Sequence, residues 1–151
     1  MSVTDVVVKE TVPIKKIKYC IVGFPDVGLV GAIAASYMVR ALNMAEAGYL
    51  ESESFPPIIV VHEGSPKPAF RIFSKDDLAV VTSEVPLPPE VLSSTARSIV
   101  NWAKAKDVEL LISISGVAVQ NRLEIDEPLV YGVGSVKSTL DILNKSGVES
   151  F

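Results

Sequence analysis

The sequence predicts a mixed α/β protein of three layers, α/β/α, and three observations carry that prediction. A short continuous apolar run, Tyr19-Cys20-Ile21-Val22-Gly23-Phe24, has the character of a strand covered on both faces. A pattern of helical period follows it at once. Strand-like runs then cluster in the middle of the chain before strand and helix alternate again, as in a parallel sheet with an antiparallel region. The 151 residues suit a single domain, 1–151. A domain of this size buries enough surface to fold without a disulfide or metal staple.

The elements follow in order. Residues 19–24 form the first strand signal, and Pro25 ends it because proline has no N–H for a ladder. Asp26 is expected to cap a helix over 27–43, where Val27, Val30, Ala34, Met38 and Ala41 recur at helical spacing and Asn43 closes the run. Residues 46–51 make a short strand, and Phe55-Pro56-Pro57 breaks the chain. Residues 58–62 are a further strand. Gly64-Ser65-Pro66-Lys67-Pro68 is turn chemistry, so 69–73 is expected to return as the second arm of a hairpin. Asp76-Asp77 turns the chain into a strand over 78–85, which Pro86, Pro88 and Pro89 end. A helix over 89–106 starts at Pro89, where a missing N–H costs nothing, and carries Val91, Ile99 and Trp102 among its apolar positions. Residues 108–115 are compositionally the strongest strand. An irregular charged loop over 119–127, a strand over 129–134 and a helix over 136–144 follow, with Gly147 as its stop. No strand signal comes after that helix, so either the sheet is complete without one or the chain is a fragment.

Bulk composition narrows the function. The chain is 48% hydrophobic with a mean hydropathy of +0.38. Apolar surface beyond the needs of one core points to a partner interface, although a Val- and Ile-rich parallel sheet gives the same composition. Net charge is −4, and the densest basic cluster, Lys15, Lys16 and Lys18, forms no stripe, which argues against nucleic acid. The lone Cys20 lies inside an apolar run, which makes it a buried, inert thiol in a reducing, cytoplasmic setting. Residues 1–10 carry Asp5, Lys9 and Glu10 and have no signal-peptide core. The longest apolar stretch, 27–39, is broken by Gly28, Gly31 and Ser36 and is too short to span a membrane. One Cys and one His make no structural zinc site. Glu124, Asp126 and Glu127 lack the spacing of a calcium loop. No metal or cofactor is expected.

The informative segment is Gly23-Phe24-Pro25-Asp26-Val27-Gly28-Leu29-Val30-Gly31. It joins a buried strand to a helix at the strand's carboxyl end, where α/β proteins bind ligands. Two readings compete. Glycines at such a turn let backbone N–H groups approach a phosphate. However, the spacing is neither G-x-G-x-x-G nor a Walker A loop, and Asp26 puts a negative charge in the way. The other reading is packing. After Asp26 the helix carries Arg40 as its only charge and is apolar or small nearly all round. It is therefore expected to be buried on the sheet on one side and against a second helix or a second subunit on the other. Gly28 and Gly31 inside it imply close approach of another backbone. Packing and interface rank first, and a ligand site second. Ser115-Gly116, after the strand at 108–115, is the other place where a small ligand could sit. His62, beside Glu63, has no serine in a G-x-S-x-G setting to activate and is expected to be a hydrogen-bonded strand-end histidine. No catalytic constellation is visible, so the chain is not expected to be an enzyme.

The glycine segment, followed by Ala34-Ala35-Ser36-Tyr37, resembles the signature of the PAC2 (proteasome assembly chaperone) family. Phe55-Pro56-Pro57 with His62-Glu63-Gly64, the Phe70-Arg71-Ile72-Phe73 strand, the proline-rich stretch before the second helix and the Ser115-Gly116 turn match its run as well. The resemblance covers nearly the whole chain and is closest to archaeal members. It implies a three-layer fold similar to nucleoside phosphorylases, oligomeric action, and help in assembling the proteasome core particle by binding its α subunits. Kinship of fold leaves a phosphorylase-like enzyme, or a protein binding nucleosides or phosphate, as the alternative. Family proteins generally continue past residue 151 with further strands and a helix. A docking tail of the family type, a hydrophobic residue, tyrosine and any residue, does not match the terminal Glu149-Ser150-Phe151. Either the chain is C-terminally incomplete or it departs from the family at this end.

Overall fold

The computed structural model describes residues 5–151. Residues 1–4, part of the stretch considered above for a signal peptide, lie outside them. The chain divides into two compact units, one ending at Ala118 and the other covering Val119–Phe151.

The first unit is built on a six-stranded mixed sheet. Its strands in chain order are β1 (Val7–Glu10), β2 (Tyr19–Gly23), β3 (Ala45–Glu51), β6 (Phe70–Lys75), β7 (Leu78–Ser83) and β8 (Leu110–Ser113). Between β3 and β6 comes a separate hairpin of β4 (Ile59–His62) and β5 (Ser65–Pro68). Helices α1 (Val30–Ala41) and α2 (Leu92–Ala105) complete the unit. The strand order is β1-β3-β6-β7-β2-β8. β2 pairs in parallel with β7 and β8, whereas β1–β3, β3–β6 and β6–β7 are antiparallel.

Strand alternation sends neighbouring residues to opposite faces. Cys20, Val22, Ile72, Ala79 and Val81 pack with Val91, Ile99, Trp102 and Ala103 of the α2 region. Ile21, Phe73 and Val80 pack with Ala35 of α1. One helix therefore covers each face. Cys20 is fully buried, and burial pushes its thiol up to about 12.

Several boundaries differ from the sequence prediction. β1 was not predicted, because four residues ending in Lys9-Glu10 give too little pattern. It is held by Glu10, whose carboxyl accepts from Trp102 Nε1 (2.9 Å) and the Ile14 N–H (3.0 Å) and pairs with Lys106 Nζ (2.7 Å). The strand expected over 108–115 is β8, at the edge of the sheet, where Ile112 and Ser113 are exposed. Its apolar composition reported strand character but not position. The arm expected to pair with 58–62 is not 69–73 but β5, in the segment taken for a turn. The turn itself is only Glu63-Gly64, and β5 tolerates Pro66 and Pro68 because it lies at a sheet edge.

In the second unit, β9 (Tyr131–Gly132) and β10 (Glu149–Ser150) pair in parallel, with α3 (Lys137–Lys145) between them. A strand thus does follow the last helix. The strand expected over 129–134 shrinks to two residues. The rings of Tyr131 and Phe151 meet edge-on at 5.5 Å. Gly147, at φ 69°, sits just past α3 as expected.

Two outcomes follow from the core. Cys20 should resist alkylation in the native protein at pH 8 and react at the normal thiol rate in urea. A fast native reaction would show that the strand opens. Burial alone raises the Glu10 pKa, but hydrogen bonds from Lys106, the Ile14 N–H and Trp102 outweigh it and leave it below the usual 4.5. A depressed folded pKa adds stability above the unfolded value, which is lost as pH falls through the folded one. Glu10→Gln should therefore melt below wild type at pH 7, with the gap closing below about pH 4. Thermal melts at a series of pH values check this, and a gap independent of pH would remove Glu10 ionisation from the account.

Candidate functional site

The segment from Gly23 to Gly31 folds as a knot of three backbones. At the end of β2, Gly23 C=O accepts a hydrogen bond from the buried Thr82 Oγ1 at 2.8 Å. A Cβ on Gly23 would lie 2.2 Å from Gly31 O, and a Cβ on Gly31 would lie 2.3 Å from Ile114 O. A Cβ on Gly116 would lie 2.3 Å from Val27 O. Real Cβ atoms do not come so close to backbone oxygens, so these three glycines let β2, the start of α1 and the chain leaving β8 interlock. The backbone expected to approach Gly31 is thus this chain's own, at the end of β8.

Asp26 locks the knot. Its Oδ2 accepts the Gly116 N–H at 2.7 Å, while its Oδ1 is buried with no hydrogen-bond partner. The side chain makes no capping bond to the helix that follows. The predicted N-cap role is therefore replaced by a long-range bond across the parallel ends of β2 and β8. The expected helix over 27–43 is also divided. Val27–Leu29 is a short 3₁₀ turn, and α1 begins only at Val30, because Gly28 (φ 78°) and Leu29 (φ 58°) both take left-handed conformations. Gly28 supplies a positive φ, and its place is not in a helix interior.

The structure brings Gly23, Asp26, Gly31 and Gly116 together. Phe24 turns into the core, edge-on to Phe70 at 6.3 Å, and Phe70 is stacked on Phe55 at 4.1 Å. Pro25 is half-buried, and Ser115 is exposed next to Gly116 in the chain. A phosphate at this strand end would have to displace the Asp26 carboxyl from Gly116 N–H. Two grooves open elsewhere, one of about 380 Å³ along Ser94, Arg97 and Asn101 of α2, the other of about 190 Å³ beside Tyr49, Phe55 and Ile58.

The face of α1 turned away from the sheet is uncovered. Gly31 and Ala35 are its buried residues. Opposite them Val30, Ile33 and Tyr37 are exposed, with Ile33 and Tyr37 at 63% and 66%, and Leu29 just before the helix is exposed as well. Of the two covers expected for this side, a second helix or a second subunit, the described residues do not supply the second helix. Composition showed the apolar face but could not say what lies over it.

His62 is held as a strand-end histidine, with Nε2 2.6 Å from Glu84 Oε1 and 2.9 Å from Arg71 Nη2. Arg71 also pairs with Glu84 and, at 3.6 Å, with Glu46. Glu46 in turn pairs with Lys67 at 3.4 Å. This network ties the β4–β5 hairpin to the main sheet. Among the described residues no cluster of three or more His, Cys, Asp or Glu side chains could hold a metal ion. No helix among them is long and apolar enough to cross a membrane.

Residues 20–150 match the PAC2 family. The chain belongs to the PAC2 family. An uncharacterized protein of Methanocaldococcus jannaschii is 28% identical over 128 residues, which are 85% of this chain and 51% of that protein. A crystal structure of Pyrococcus furiosus PbaA, described as an archaeal homolog of proteasome-assembly chaperone, superposes with a TM-score of 0.86 at 31% identity. The alignment covers 96% of this chain and 60% of PbaA. P. furiosus PbaB, described as an archaeal proteasome activator, shares the fold at a TM-score of 0.74 and 18% identity, over 98% of this chain and 67% of PbaB. This PAC2 chain thus spans about half the length of its curated relative and three-fifths of PbaA.

The knot makes a direct prediction. Gly31→Ala forces the Ile114 carbonyl aside and should cost about 1–3 kcal/mol by overpacking. Asp26→Ala strands the Gly116 N–H and should cost about 1–3 kcal/mol. Urea titrations measure both, and wild-type midpoints for both variants would refute the interlock.

Proposed function

We propose that this PAC2 chain is a non-enzymatic, cytoplasmic assembly factor that binds α subunits of the proteasome core particle through the open face of α1. The observation that carries the reading is the exposed apolar row of Val30, Ile33 and Tyr37 on α1, with exposed Leu29 just before it, on a helix whose other side is fixed to the sheet. Contiguous apolar surface of this kind marks protein interfaces. The relationship to PbaA supports the choice of partner, because that protein is described as a homolog of a proteasome-assembly chaperone. The same face suits self-association, and the chain is expected to form homo-oligomers. Binding of nucleosides or phosphate finds no comparable support, because the strand end where such a ligand would sit is closed by Asp26 and three glycines.

The test is co-elution with cognate proteasome α subunits in gel filtration, for wild type and for the double variant Ile33→Glu/Tyr37→Glu. Wild type should co-elute and the variant should not, while its unfolding free energy stays within about 0.5 kcal/mol, as for surface changes generally. Failure of the wild type to bind would sink the proteasome reading. Binding by the variant at wild-type strength would remove α1 from the interface.

A further inference from the structure

Strand β4 has one partner, β5, and a second edge that no strand among the described residues covers. The turn that joins them decides which backbone groups this edge carries. Glu63 (φ 50°) and Gly64 (φ 77°) both lie at positive φ, the signature of a two-residue type I′ turn. Such a turn closes on a hydrogen-bonded pair, here His62 with Ser65. Bonded and non-bonded pairs alternate along an antiparallel ladder. Val60–Lys67 is therefore bonded as well, while Val61–Pro66 and Ile59–Pro68 are not. The N–H and C=O groups of Ile59 and Val61 consequently point away from β5. The outward groups of β5 belong to Pro66 and Pro68, which have no N–H. Proline blunts one edge of the hairpin, and the other keeps its alternating donors and acceptors.

The side chains agree with this division. Val60 packs against the core and His62 reaches Glu84, whereas Ile59 and Val61 are 69% and 66% exposed. The charged residues that flank β4 along the chain, Glu51, Glu53 and Glu63, are acidic and exposed; Glu51 pairs with Lys9 at 3.7 Å, and Lys67 is turned to Glu46.

We propose that the free edge of β4 takes an extended segment of a partner protein by strand addition, a segment apolar at alternate positions and carrying Lys or Arg at its ends. Main-chain bonds to Ile59 and Val61 supply the pairing, and the acidic surround selects the sign of charge. A second copy of this chain, with net charge −4, brings the same acidic surround and is disfavoured. The proposal stands on the hairpin alone and does not depend on the α1 face or on proteasome binding.

Fluorescence anisotropy with two labelled peptides tests it, Lys-Lys-Val-Thr-Val-Thr-Val-Lys-Lys and the analogue with Glu for every Lys. The lysine peptide should bind at least about tenfold more tightly, with a preference that shrinks in high salt. Val61→Pro removes an outward N–H without touching the bonded pairs and should abolish binding while leaving the melting temperature near wild type. Glu53→Lys/Glu63→Lys should reverse the preference. In the wild-type protein, the lysine peptide should slow amide exchange at Ile59 and Val61, which keeps the test independent of any variant's folding. Equal binding of the two peptides, binding of neither, or unchanged exchange at Ile59 and Val61 would overturn the proposal. So would a concentration-dependent dimer that Val61→Pro abolishes, because a second copy would then hold the edge.

Discussion

Three stretches of backbone meet at the carboxyl end of β2 with no space for a single Cβ between them. Gly23 admits the carbonyl of Gly31, Gly31 admits that of Ile114, and Gly116 admits that of Val27. The direction of α1 and the path of the chain leaving β8 are both set by this contact. Asp26 adds a directional side-chain bond, to the Gly116 N–H.

Much of the functional reading follows from that constraint. Because α1 is pinned through Gly31 and Ala35, its opposite side must face outward, and that side carries Val30, Ile33 and Tyr37. The knot also closes the strand end at which α/β proteins commonly hold ligands. Glycines that look like a phosphate loop in one dimension serve a close backbone crossing in three.

The β4–β5 hairpin is attached by different physics. Val60 packs against the core, and His62 and Lys67 end on the network of Arg71, Glu84 and Glu46. Exposed ion pairs contribute little each, and networks more. Arg71 is the member that is buried, so the attachment depends on it most. The outward face of the hairpin stays apolar because only its inward residues are needed to hold it.

Local chemistry alone determined several features: the buried run of β2, the 3₁₀ turn at Pro89–Val91 that leads into α2, the stop at Gly147, the glycine turn and the likeness to the PAC2 family. Each depends on period, turn residues or a motif within a few positions, and such signals survive without knowledge of neighbours. The tertiary structure decided the rest. Asp26 looked like a cap because an acid before a helix usually is one, yet its partner Gly116 is remote in sequence. Pro66 and Pro68 looked like a turn because proline ends most strands, yet at alternate positions on an edge they remove no ladder bond. The apolar side of α1 was visible as a pattern, but whether anything covers it depends on which backbones meet at Gly31. That meeting joins segments distant in sequence, and no local preference encodes it.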